Sequence, residues 1–156
     1  MEFRPSHIGI CVTNLDRSIG FYAALGFTRA EHFEQRGGSH VQPADSITTI
    51  STLLEIEGVH LFGQFMRRAD GLAIELLEFK NPNSFGQNSR RSMNQLGFTH
   101  LSFYVTDLEA AMAVIEKAGG TAHWHTRNYF DTPDMNAVFC SDPDGVRIEL
   151  MQLTSR

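Results

Sequence analysis

The chain has 156 residues, 42% of them hydrophobic, and a formal net charge of −5. That is enough for one compact domain with a core of its own, and the acidic balance argues against nucleic acid or an anionic membrane surface as the main partner. Lys and Arg never run beyond the pairs Arg67–Arg68 and Arg90–Arg91, and no apolar run approaches the roughly 18–20 residues of a membrane span.

The N-terminal MEFRPSHIGI enters an apolar, strand-like run at once, without the h-region of a signal peptide. His7 to Val12 is short and β-branched and predicts a strand. Asn14 or Asp16 is placed to cap the helix that follows, in which Leu15, Ile19 and Tyr22 recur at helical spacing and Gly26 stands where a helix ends. Phe27 to Phe33 reads as a returning strand. Glu34 to Ser46, polar and glycine-containing, reads as a long loop, and Ser46 to Ile56 as a short helix. Val59–Arg67 and Leu72–Phe79 are predicted strands joined by a tight turn at Asp70–Gly71.

Residues 81–96 are rich in Asn, Ser, Gln and Arg and read as a linker between a module at 5–80 and a second at 97–153, both within a single domain spanning 1–156. In the second module Gly97 to Thr106 predicts a strand. Asp107 caps a helix with Leu108, Ala111, Met112 and Ile115 on one face, ending at Gly119–Gly120. Strands follow near Thr121–Arg127, Asn136–Cys140 and Val146–Leu153, the last two joined by a turn over Asp142 to Gly145. Cys11 and Cys140, each in an apolar strand-like run, read as buried free thiols, which fits a cytoplasmic protein.

The two halves repeat one another. PSHIGICVTNLDRS at 5–18 is echoed by FTHLSFYVTDLEAA at 98–111, and ADGLAIELLE at 69–78 by PDGVRIELMQ at 143–152. Segments recurring in the same order indicate a duplicated unit, here β-α-β-β-β, and an α+β fold. The first copy is longer between its His and its Glu, and the excess is assigned to the region after Phe33, within 34–58.

The repeat places His7 on His100 and Glu75 on Glu149. A lone histidine at a strand start is more often a hydrogen-bonded structural residue, and a glutamate in an IEL run can simply face solvent. Recurrence of both residue types at equivalent positions is what favours a metal site. Two imidazoles and two carboxylates suit one divalent ion of the series Zn²⁺, Ni²⁺, Co²⁺, Mn²⁺ or Fe²⁺, with positions left for two adjacent substrate oxygens.

With the paired H-I-G-I-x-V-x-N-L-D-R-S and D-P-D-G-x-x-I-E-L segments in view, the chain resembles the vicinal oxygen chelate superfamily of glyoxalase I, bleomycin resistance proteins and extradiol dioxygenases, over His7 to Leu153. The resemblance implies two tandem βαβββ modules forming a cleft-shaped mixed sheet with flanking helices. It also implies metal-ligand roles for His7, Glu75, His100 and Glu149, a small-molecule substrate with adjacent oxygens, and a homodimer. Family members that use four ligands, such as glyoxalase I and methylmalonyl-CoA epimerase, move a substrate proton with a carboxylate. By that resemblance Glu149 is the first choice for catalytic base and Glu75 its partner. Cys11 takes the place of the arginine in glyoxalase I's H-x-x-L-R strand, and Thr99 replaces the first His of the epimerases' H-H pair. The resemblance therefore implies a metal-dependent lyase or isomerase rather than a named substrate. The alternatives are an iron-dependent extradiol-type dioxygenase and a non-catalytic protein that sequesters a drug or metabolite.

His123 and His125 alternate and share a strand face; exposed or hydrogen-bonded roles are expected of them, with the mouth of a pocket as the second reading. Trp124, Tyr104, Tyr129 and the phenylalanines are assigned to the core, with Phe103 or Tyr129 as a second choice for a pocket wall. The two arginine pairs read equally as contacts for an anionic tail or as solvated turns.

Overall fold

The computed structural model describes residues 1–37, 50–86, 92–132 and 134–154. The chain divides into two compact units, Met1–Gly86 and Gln87–Arg156, so the boundary falls inside the predicted linker. The expected loop beyond Gly37, the start of the short helix before Ile50, and the pair Arg90–Arg91 lie outside the described residues.

In the first unit the order is β1 (Ile8–Val12), α1 (Leu15–Ala24), β2 (Thr28–Arg36), α2 (Ile50–Leu54), β3 (His60–Arg67) and β4 (Ala73–Asn81). The second unit runs β5 (Leu101–Tyr104), α3 (Leu108–Lys117), β6 (Thr121–Asp131), β7 (Asp134–Ser141) and β8 (Arg147–Leu153). Each unit carries a four-stranded mixed sheet, ordered β1-β4-β3-β2 in one and β5-β8-β7-β6 in the other. The first strand of each unit runs parallel to the last, and the remaining neighbours are antiparallel. The α+β class is as expected, as is the β-α-β-β-β order of each half, with the short α2 inserted between β2 and β3 of the first. There are two sheets, one per unit.

Local chemistry explains the elements. Asn14 and Asp107 cap α1 and α3 through side-chain oxygens that accept the Arg17 and Ala110 N–H at 2.9 Å. Both helices stop before a glycine of positive φ, Gly26 at 86° and Gly119 at 90°, a conformation that carries no Cβ penalty in glycine. A sheet residue points to the face opposite its neighbours, so Ile74 and Leu76 bury themselves on the helix face of β4 while Glu75 turns away. Ile148 and Leu150 flank Glu149 in the same way. α1 packs on β4 and α3 on β8, with Ile19 and Tyr22 of α1 and Met112 and Ile115 of α3 buried.

Several expectations are corrected. β2 continues to Arg36, into the stretch read as loop, because β3 supplies a ladder partner as far as the pair Arg36–His60. The strand expected over Gly97–Thr106 is only Leu101–Tyr104, the part for which β8 offers pairing. Cys11 is exposed rather than buried: it alternates with the buried Ile10 and Val12 and so takes the other face of β1. Trp124 is 41% exposed, Tyr129 53% and Tyr104 69%, so none of the three belongs to the core. Tyr104 shares its face of β5 with the exposed Ser102, and Trp124 and Tyr129 stand on β6, the edge strand of its sheet. Among the phenylalanines Phe21 and Phe27 are core residues, whereas Phe3, Phe85 and Phe98 are exposed.

Candidate metal centre

β1 pairs with β4 so that Gly9 lies opposite Glu75, which sets His7, one residue before the strand, beside the Glu75 carboxylate. His7 Nε2 and Glu75 Oε2 are 3.2 Å apart. β5 pairs with β8 so that Ser102 lies opposite Glu149, and His100 Nε2 stands 3.4 Å from Glu149 Oε2. All four side chains are part-exposed. The structure thus brings the four predicted residues together two by two, one His–Glu pair in each unit. Among the described residues no third His, Cys, Asp or Glu joins either pair within its unit.

Each pair is held by equivalent neighbours. The Ser6 hydroxyl lies 3.0 Å from His7 Nδ1, and the Thr99 hydroxyl 2.9 Å from His100 Nδ1. A hydroxyl both donates and accepts, so it serves either imidazole tautomer. With the proton on Nε2 the ring donates to the carboxylate; with the proton on Nδ1 it offers a lone pair at Nε2 to a cation. A hydrogen-bonded second nitrogen of this kind is the usual support of a metal-binding imidazole. Phe65 meets the His7 ring edge-on with centroids 5.1 Å apart, and Phe139 meets His100 at 5.5 Å. These phenylalanines sit opposite Glu75 and Glu149 in the sheet ladders, on the same face as the glutamates.

The donor spacing fits a divalent ion. Two cis donors at about 2.1 Å from an octahedral ion stand about 3.0 Å apart, and two donors of a tetrahedral ion about 3.4 Å apart. The observed 3.2 and 3.4 Å match these values, so the donors of either pair are close enough to share an ion. Imidazole nitrogen and carboxylate oxygen are also the donor types such ions take.

The profile of the glyoxalase/bleomycin resistance protein/dioxygenase superfamily matches residues 4–150. The chain belongs to this superfamily. Solved structures similar to this glyoxalase-superfamily chain include a glyoxalase family protein from Bacillus cereus, with TM-score 0.76 and 19% identity over 97% of this chain and 95% of that one. A glyoxalase family protein from Enterococcus faecalis aligns with TM-score 0.63 and 20% identity over 96% and 97% of the two chains. A mutant of the fosfomycin resistance protein FosX from Listeria monocytogenes, complexed with Mn(II) and dihydroxypropylphosphonic acid, aligns with TM-score 0.59 and 16% identity over 99% and 94%. At these identities the likeness is one of fold. A comparison with curated proteins found no match.

Other polar residues singled out in the sequence are placed elsewhere in this superfamily member. His123 Nε2 is 3.1 Å from the Ser141 hydroxyl, and its ring lies 6.1 Å from that of His125, so the hydrogen-bonded role holds for His123. Arg67 pairs with Glu31, while Arg68 pairs with Asp70 and also donates to the Leu25 carbonyl; both arginines have internal partners. Asp70 and Asp142 serve turns, Asp142 accepting the N–H groups of Asp144 and Val146 at 2.9 and 2.8 Å. His60 contacts Glu34 at 2.7 Å, and hydrogen bonds from His60 and then Arg36 hold the Glu34 carboxyl below the usual carboxylate range. Three features went unread in the sequence: Ser6 and Thr99 behind the imidazoles, the paired Phe65 and Phe139, and Ser102 beside Glu149. The first two have a signal there, since each repeats at an equivalent position of the two halves.

Proposed function

We propose that this chain is a divalent-metal-dependent lyase or isomerase of the glyoxalase and epimerase type, with His7, Glu75, His100 and Glu149 as the ligands of one ion. The observation that carries the reading is the recurrence of a His Nε2–Glu Oε2 pair, at 3.2 and 3.4 Å, on equivalent strands of two repeated units. Four ligands are offered rather than the two His and one Glu of an extradiol iron site, which favours proton transfer over oxygen activation. When bound, an ion of the Zn, Ni, Co, Mn or Fe series supplies Lewis acidity towards a substrate carrying two adjacent oxygens. The FosX neighbour, with its Mn(II) and a dihydroxy ligand, is in keeping with that donor chemistry.

The protein's own part is to orient the substrate and move a proton. A carboxylate, Glu149 or Glu75, takes the proton from the carbon beside the substrate carbonyl and returns it to that carbon or its neighbour. The base must stand within about 2.6–3.2 Å of the donor carbon's proton path. Phe65 and Phe139 cover one edge of each imidazole and limit the rotation of the rings. The same reading takes the protein as a cytoplasmic homodimer.

The test is elemental analysis of purified wild type, His100→Ala and Glu75→Gln after reconstitution with each ion. About one equivalent per chain in the wild type, lost in His100→Ala and weakened in Glu75→Gln, is expected. Metal retained in Glu75→Gln together with oxygen uptake on catechols would replace this reading with the ring-cleaving oxygenase. No metal in any form, with tight binding of a small molecule, would replace it with the sequestering protein.

A further inference from the structure

The two half-sites share the His–Glu pair, the hydroxyl behind the imidazole and the phenylalanine at its edge, and differ beside the carboxylate. On β5 the Ser102 hydroxyl donates to Glu149 Oε2 at 3.0 Å, the same oxygen that faces His100. At the equivalent register position of β1 stands Gly9, which has no side chain to offer. Among the described residues of its unit, the Glu75 carboxylate has His7 as its polar partner and no hydroxyl. A Cβ added at Gly9 would meet Glu75 Oε2 at 4.0 Å and nothing closer, so the space beside Glu75 is open.

We infer that Ser102 is a positioning residue for Glu149 and that its absence at Gly9 makes the two carboxylates unequal. The inference rests on the four-ligand reading above and deepens it. With His100 Nε2 turned to the ion, Ser102 still holds Glu149, which acts as the fixed ligand. Glu75, with only His7 beside it, is the carboxylate free to rotate away and accept the substrate proton. This reverses the order of the two glutamates suggested by the family resemblance. A carboxylate restrained by a second hydrogen bond loses less rotamer freedom on binding an ion, and removal of such an outer partner commonly weakens metal affinity by about 10–100-fold.

The experiment is Mn(II) titration of the full chain, followed by electron paramagnetic resonance of free Mn(II), with the Co(II) visible spectrum as a second readout. Four variants are compared: Ser102→Ala, Ser102→Thr, Gly9→Ser and His100→Ala. Ser102→Ala is expected to weaken Mn(II) binding about 10-fold and to change the Co(II) band. Ser102→Thr restores both, because it returns the hydroxyl. Gly9→Ser, which the space admits, tethers Glu75 and tightens binding several-fold. Ser102 is exposed, so thermal midpoints should stay close to wild type. Wild-type affinity in Ser102→Ala, beside loss of metal in His100→Ala, would overturn the positioning role and leave the four-ligand site standing. Failure of Ser102→Thr to restore affinity, or no change in Gly9→Ser, would equally overturn it. Unchanged affinity in His100→Ala would remove the site itself.

Discussion

The Glu78 carboxylate accepts the backbone N–H of Leu15 at 3.1 Å, tying the last strand of the first unit to the first turn of α1. Gln152 does the same for the Leu108 N–H at 3.4 Å in the second unit. A helix N-terminus leaves N–H groups without intrahelical partners, and a negative group there gains from the helix dipole as well. Glu78→Ala should therefore destabilise the protein by about 1–2 kcal/mol, and Glu78→Gln by less than half of that, since an amide serves in the second unit. Urea denaturation of the two variants checks this; equal losses would show that the contact to Leu15 is not what stabilises the helix start.

Phe33 lies flat over Gly63. A Cβ on residue 63 would fall 2.0 Å from the Phe33 ring, and Phe33 in turn packs on Phe65, centroids 5.7 Å apart, beside His7. Gly63→Ala must push the ring aside, at a cost of about 1–3 kcal/mol. In the background of Phe33→Ala the same change should cost far less, and a double-mutant cycle on denaturation midpoints measures the difference. Additive losses would mean the ring and the glycine do not meet.

Burial pushes the Cys140 thiol up to about 12, with the Asp142 charge adding to it, while Cys11 is exposed. At pH 8 the thiolate fraction of Cys140 is then on the order of 10⁻⁴, and the thiolate is the reactive form. A disulfide reagent at that pH should label one thiol per native chain and both after denaturation, and Cys11→Ser should abolish the native reaction. The linkage runs the other way from a paired carboxylate. The folded chain keeps the Cys140 proton that the unfolded chain gives up above the ordinary value of 9.0, so stability falls as pH rises from there towards 12. The slope from this one group is at most about 1.4 kcal/mol per pH unit. Cys140→Ala should flatten it in denaturation curves taken above pH 9.

On the four-ligand proposal above, an ion held by both His–Glu pairs would stabilise the folded chain by mass action. At a free concentration of about 100 times its dissociation constant the gain is about 2.7 kcal/mol, or roughly 5–10 °C in Tm for a chain of this size. Differential scanning calorimetry should show this rise with Mn(II), its reversal by a chelator, and its loss in His7→Ala and in His100→Ala alike. A rise that survives either change would mean the ion sits elsewhere.

The duplicated β-α-β-β-β order, the cap at Asp107, the glycine stops at Gly26 and Gly119 and the turns at Asp70 and Asp142 were all legible from residue order, while the first cap was narrowed to Asn14 or Asp16 and fell to Asn14. Each depends on side chains within a few positions of one another, and repetition of the pattern doubled the signal. The same repetition singled out His7, Glu75, His100 and Glu149 and set each glutamate on the face opposite its apolar neighbours. Period-two alternation says that neighbours on a strand face opposite ways, but not which face is covered. Cys11, Tyr104 and Trp124 were misassigned for that reason. Strand register joins residues far apart in the chain, so only the tertiary structure decided that Gly9 lies opposite Glu75 and Ser102 opposite Glu149. It also decided that each histidine meets its glutamate within its own unit, with a hydroxyl behind it, because pairing of the first strand with the last is a long-range choice that no local pattern encodes.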